Sequence, residues 1–251
     1  MGTKLATVLK RIVKKQRIKE TGYILWEGPS AYDGAPIVVI GTLKSTNPKT
    51  GNMVQVWIMR QDIAPHVAIQ TGDDASVCGK CPLRPLAYKG NGLKKPCYVL
   101  THRAPLSVWR KYRRGGYQHM ALPEFRKLLQ GKAVRLGAYG DPASVPFEVW
   151  ESLGVGTGEF THTSYTHGYL LEGFDIRHLS ISMVSLDQVT QQTPPALTAR
   201  TFRVINAVDQ LQADEILCPA SKEGGLKTTC AQCGLCAGLN RKAKNIAIVA
   251  H

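Results

Sequence analysis

Four of the chain's seven cysteines fall in one stretch, CPASKEGGLKTTCAQCGLC, from Cys218 to Cys236. Cys230, Cys233 and Cys236 are spaced as Cys-x-x-Cys-x-x-Cys, and Cys218 precedes them by a short Gly- and Lys-rich loop. A second group, Cys78, Cys81 and Cys97, lies in CGKCPLRP and KKPCYVL. An odd number of thiols leaves one over in any all-disulfide scheme, and a chain of 251 residues is long enough to fold without staples. Clustered thiols in a reducing cytosol are metal ligands more often than disulfides. All seven are therefore candidate ligands. Three thiols at successive two-residue spacings with a fourth elsewhere match the run that wraps a [4Fe–4S] cube, whereas two Cys-x-x-Cys knuckles suit zinc. One cluster, two clusters and zinc all remain open at this level. His102 and His119 follow the first group closely enough to complete it.

The seven thiols constrain a chain that is otherwise built of alternating strands and helices. Leu5, Val8, Leu9, Ile12 and Val13 form one stripe of a basic amphipathic helix over residues 1–21. Such a helix serves to grip an anionic surface or simply docks on its own chain. GYILWEG, APIVVIGTL and MVQVWIMR, separated by turn signals in KSTNPKTGN, predict a small antiparallel unit over 22–74. Over 75–251 strands are predicted in CYVL, AVRLGAYG, FTHTSYT, HLSISMVS, ARTFRVI, EILCPA and NIAIVAH. Helices are predicted in SVWRKYRR, LPEFRKLLQ, PFEVWESL and LDQVTQQ. This alternation predicts an α/β fold, a complete or partial (β/α) barrel-like core carrying both cysteine-rich loops. GVGTG after a helix lacks the strand that a dinucleotide loop requires and reads as a helix-ending turn.

In a barrel, residues just past the strands converge on one mouth. RLGAYGDP places Arg135, Tyr139 and Asp141 there; THTSYTHG offers His162, Tyr165 and His167; SISMVS offers Ser182 and Ser185. Asp141 and His162 are candidate proton-transfer residues, joined by Tyr139, and Arg135 and Tyr165 are candidate cofactor-binding residues. Asp141 before Pro142 is equally a helix cap. His162 and His167 are five apart and so face opposite sides of a regular strand. HRAPLSVWRKYRRGGYQH interleaves basic residues with Trp109, Tyr112 and Tyr117, a pattern of single-stranded nucleic-acid binding or of a packed surface helix.

A net charge of +14 favours an anionic partner, a small molecule or nucleic acid. No apolar run reaches the length of a membrane span and no signal-peptide core opens the chain, so a cytoplasmic protein is expected. Walker and Gly-x-Ser-x-Gly motifs are absent, which removes P-loop and serine-hydrolase chemistry of the common kinds. Hydrolysis at a metal centre asks least of the remaining groups; a zinc-stabilised nucleic-acid-binding protein without catalysis is the other expectation.

CGKCPLRP with PCYVL, then RLGAYGDPASVP, then CPAS…TTCAQCGLC resemble uncharacterised bacteriophage proteins with cysteine-rich ends, across residues 75–240. The resemblance implies a phage-encoded protein of the host cytosol. A looser likeness to radical SAM enzymes extends to a barrel and a cysteine cluster, but their Cys-x-x-x-Cys-x-x-Cys spacing is missing here.

Overall fold

The computed structural model describes residues 21–45, 47–88, 97–187 and 197–250. The basic helix expected over 1–21 and most of the helix expected in LDQVTQQ lie outside them. The described residues form a mixed α/β fold with two sheets and six α-helices.

Strands β1 (Gly22–Pro29), β2 (Pro36–Thr42) and β3 (Val54–Arg60) form the expected antiparallel meander, with Ile40 opposite Trp57 and Val38 opposite Met59. The chain turns from β2 to β3 on Asn47, whose side chain accepts from the amides of Lys49 and Thr50. The meander shares its sheet with later strands: β4 (Gln118–His119) pairs parallel with β1, and β5 (Ala133–Tyr139) pairs parallel with β3. Strand β6 (Thr161–Thr163) completes a sheet of order β4-β1-β2-β3-β5-β6.

The chain then passes into a second, wholly parallel sheet without a connection. Strand β7 (Tyr165–Thr166) begins one residue after β6 and pairs with β8 (Met183–Leu186). Strands β9 (Thr201–Ile205), β10 (Glu215–Leu217) and β11 (Asn245–Val249) follow, in the spatial order β10-β11-β9-β8-β7. At the handover, Ser164 donates its N–H to the carbonyl of Cys236 and accepts from the N–H of Met183. Among the described residues the strands form no closed ring.

The helices are α1 (Pro65–Thr71), α2 (Ala75–Cys78), α3 (Ala104–Arg113), α4 (Leu122–Leu129), α5 (Phe147–Leu153) and α6 (Cys230–Cys233). In α4, Phe125 and Leu129 stand four apart on one face and are both fully buried. They join Trp150 and Leu153 of α5 in a single core with Ile40, Val56 and Ile58 of the first sheet. Helix α5 ends where GVGTG begins, with Gly154 at φ 78°, as its reading as a turn requires.

CYVL is not a strand. Cys97 gives its N–H to the carbonyl of Leu83, and its sulfur accepts from the amide of Val99, so the segment is tied to the first cysteine loop instead of to a sheet edge. Tyr98 is 68% exposed, although its apolar neighbours suggest a buried strand. The strand expected in HLSISMVS is confined to its second half; residues Ile176–Ser180 form a 3₁₀ turn that Asp175 caps through the amide of Arg177.

The second sheet carries a buried ion pair between Arg203 of β9 and Glu215 of β10, at 2.7 and 2.5 Å, with side chains 3% and 2% exposed. Removing one partner strands the other charge away from water. Glu215→Ala should therefore cost about 3–5 kcal/mol, read as a lower urea midpoint; a change within error would show that solvent reaches Arg203.

Candidate metal centre

The first cysteine group is built on a knuckle. Cys78 ends α2, Gly79 turns the chain at φ 56°, and the Cys81 N–H returns to the Cys78 carbonyl. Arg84 fastens this loop, donating to the carbonyls of Gly79 and Gly72 at 2.9 and 2.8 Å and to Asp74 Oδ1 at 2.7 Å. A cavity of about 180 Å³ opens beside it, lined by Cys78, Cys81, Cys97, Asp74, His102 and Tyr139. The Tyr139 hydroxyl is buried there without a hydrogen-bond partner. Burial pushes the Cys97 thiol up to about 11 and the Cys78 thiol well above its usual range, with Cys81 and Asp74 adding to the latter. Thiolates form in such a place when a cation offsets their charge, so metal uptake would release protons.

The carboxyl ends of β5, β7 and β8 meet this loop. Gly140 leaves β5 at φ 83°, and a Cβ there would fall 2.6 Å from the Ile58 carbonyl, so only glycine makes this turn. The turn delivers Asp141, whose Oδ1 accepts from the Ala143 amide at 2.9 Å and whose Oδ2 accepts from the His167 amide at 2.6 Å. His167, just past β7, bonds through Nε2 to Asp187, just past β8. Burial opposes a proton on His167, but the adjacent Asp187 carboxylate and the Cys81 sulfur together outweigh it and raise the imidazole well above its ordinary pKa. The ligand atoms of Cys81, His167 and Asp187 all lie within 4.8 Å of one another.

The tail forms the second group. Helix α6 is a single turn closed by a Thr229–Gln232 capping box and ended by Gly234 at φ 60°. It lies against the β2–β3 turn, with Cys230 N–H to Lys49 O at 3.3 Å and Ala231 N–H to Thr50 O at 2.9 Å. Cys218 follows β10, its N–H bonded to the Ala247 carbonyl. Cys218 and Cys236 are buried with Met183, Ile246 and Ile248 on one face of the second sheet. Burial pushes the Cys236 thiol up to about 12, and Cys218, Cys230 and Cys233 are close enough to raise it further. Cys218 belongs with the tail, in electrostatic reach of Cys233.

Arg135 bridges the two groups. Its Nη2 donates to the Tyr98 hydroxyl at 3.1 Å. Burial lowers its pKa, but the Tyr98 and Tyr165 hydroxyls and the Cys230 thiol outweigh this and raise it. Among the described residues no carboxylate forms an ion pair with it. Tyr165 is raised by burial and by Cys236, its hydrogen-bond partner.

The structure thus gathers Arg135, Tyr139, Tyr165 and all seven cysteines, but it separates the expected proton-transfer pair. Asp141 is at the site with its carboxylate engaged by two backbone amides, the role of a cap. His162 pairs in register with Val134 of the core, while Arg135 pairs with Thr163, so His162 lies on the opposite face of the strand. It is 5% exposed and its Nε2 meets the Ile181 carbonyl at 2.9 Å. His167 stands in its place, and Asp187 and Tyr98 join it. Asp187 was detectable by the rule that singled out Asp141, being the first residue beyond its strand. Ser185 donates to Asp187, and Ser182 pairs with Ser164. His102 lines the cavity, whereas His119 lies on β4 beside Glu27. Trp109 donates to the Arg60 carbonyl, Tyr112 bonds Glu27, and Lys111 covers the ring of buried Tyr117; these three rings are committed to internal contacts. No helix among the described residues is long and apolar enough to cross a membrane. No protein-family model, curated protein or solved structure matches this chain.

Burial lowers the pKa of His162 and outweighs the Ile181 carbonyl, which favours the proton. The unfolded chain therefore binds the proton more tightly. The stability from neutral His162 is fully present above about pH 6.5 and declines as pH falls through the lower folded value. His162→Gln should remove this loss, so between neutral and mildly acidic pH its urea midpoint should fall less, or rise more, than the parent's; an unchanged difference between the two proteins across that range would show that His162 makes no such contribution.

Proposed function

We propose that this chain is a phage-encoded iron–sulfur protein with a partial-barrel core and an anion-binding reaction site between its two thiol groups. The observation that carries the reading is the segregation of seven thiols into a quartet and a trio on either side of Arg135, which among the described residues has a tyrosine hydroxyl but no carboxylate as partner. The strand shared between the two sheets at Ser164 supports the partial barrel.

The tail quartet suits a [4Fe–4S] cube by chemistry and by spread. Two sulfurs on one zinc ion stand roughly 3.8 Å apart, from bonds of about 2.3 Å at a tetrahedral angle. Among the described residues the ligand trio drawn to within 4.8 Å is Cys81, His167 and Asp187, not a set from the tail. The tail thiols are within electrostatic reach of one another, as common ligands of one inorganic core must be. Cys218, Cys230, Cys233 and Cys236 would hold it, and it would supply electron transfer or structural order.

The substrate is an anion held by Arg135, whose partly desolvated guanidinium recognises a carboxylate or phosphate. The Tyr98 hydroxyl holds the guanidinium by accepting from Nη2. Hydrolysis is the reaction class proposed: a metal held by the first cysteine group would supply activated water beside a positioned anionic substrate.

Anaerobic purification followed by iron, sulfide and visible absorption measurements tests the cofactor. Iron and acid-labile sulfide with broad visible absorption are expected; a colourless protein with stoichiometric zinc and no sulfide would overturn the cluster. In Cys233→Ser, sulfide should be lost and limited proteolysis should cut within residues 221–240, because bound metal orders this loop. The strand core should resist cleavage. Full sulfide retention with an uncut tail would exclude Cys233 as a ligand.

A further inference from the structure

Cys81, His167 and Asp187 come from three separate segments, the knuckle after α2 and the residues just past β7 and β8. We propose that these three hold one divalent cation of borderline softness, zinc or ferrous iron, as a site separate from the tail cluster, with a coordination position left beside the 180 Å³ cavity. The inference rests on reading the first cysteine group as metal-binding, but not on what the tail holds.

The donor set is one thiol, one imidazole and one carboxylate, mutually within 4.8 Å. Donors on a single tetrahedral ion stand roughly 3.3–3.8 Å apart, whereas His167 Nε2 and Asp187 are in direct hydrogen-bond contact, so an ion replaces that hydrogen bond and moves the two donors apart. Three protein ligands with a fourth position free is the arrangement of reactive rather than structural ions. Each ligand is held from behind. Asp141 Oδ2 accepts from the His167 amide at 2.6 Å, Ser185 Oγ donates to Asp187 Oδ1 at 3.2 Å, and the Cys81 amide is bonded to Cys78 O at 3.1 Å. Outer contacts of this kind orient metal ligands.

A second observation comes from the cavity. Cys81 is the one of the three ligands that lines it. On its wall the Tyr139 hydroxyl is buried and has no hydrogen-bond partner, a state that proteins rarely leave unsatisfied. A water or substrate oxygen within the cavity would supply that partner. The Cys81 sulfur is in hydrogen-bond reach of His167, so the imidazole contacts both other donors.

The test uses the full chain purified without oxygen, with zinc, iron and acid-labile sulfide measured per chain. His167→Ala and the near-isosteric Asp187→Asn should each lose one metal equivalent while sulfide and visible absorption stay at parental values. Unchanged metal content in both variants would overturn the site. So would loss of sulfide together with the metal in Asp187→Asn, which would place the residues in the cluster or the fold. Cys233→Ser separates the two readings: it should lose sulfide and keep the His167-dependent equivalent. A parent without sulfide but with metal that His167→Ala removes would refute the tail cluster and leave this site standing.

Discussion

The hydrogen bond from Ser164 N–H to the Cys236 carbonyl joins three parts of the molecule at one point. Ser164 is where one strand leaves the first sheet and enters the second, and Cys236 is the last thiol of the tail. A strand that changes sheets interrupts its ladder, and the freed backbone groups need partners. The tail supplies one, β8 supplies another through Met183, and the serine hydroxyl pairs with Ser182. The sheet handover and the position of the thiol quartet therefore depend on each other.

The same economy of polar groups shapes the site. Asp141 satisfies two amides and in doing so places His167, and Arg84 satisfies two carbonyls and Asp74 and in doing so closes the first knuckle. Burial raises the Cys78, Cys97 and Cys236 thiols, because an isolated thiolate is costly away from water. Among the described residues a guanidinium without a carboxylate and a phenol without a partner remain, at Arg135 and Tyr139, between and beside the thiols.

Much of the fold was legible in the residues. The meander of 22–60 follows from β-branched runs broken by Asn-Pro and Thr-Gly, and α4 from the spacing of Phe125 and Leu129. CYVL misled because apolar content alone does not distinguish a strand from a loop stapled by its first residue; the hydrogen bond from Cys97 to Leu83 is a tertiary fact. Helices α1 and α2 carry no strong periodic signal and were not anticipated. At the site, the cysteine spacing marked every thiol of both groups, and position after a strand marked Asp141. The choice between His162 and His167 was not legible, since both flank the same break at Ser164.

The sequence by itself determined the elements and the chemistry available: alternating strands and helices, two sets of thiols at ligand spacing, and an excess of positive charge. These depend on neighbours within a few residues, where periodicity and turn chemistry act. Tertiary structure alone decided that His167 and Asp187 meet Cys81. It also decided that Arg135 lies between the groups. Those outcomes turn on register and on how two sheets share one strand, and a shift of one residue would reverse which side chains face the site.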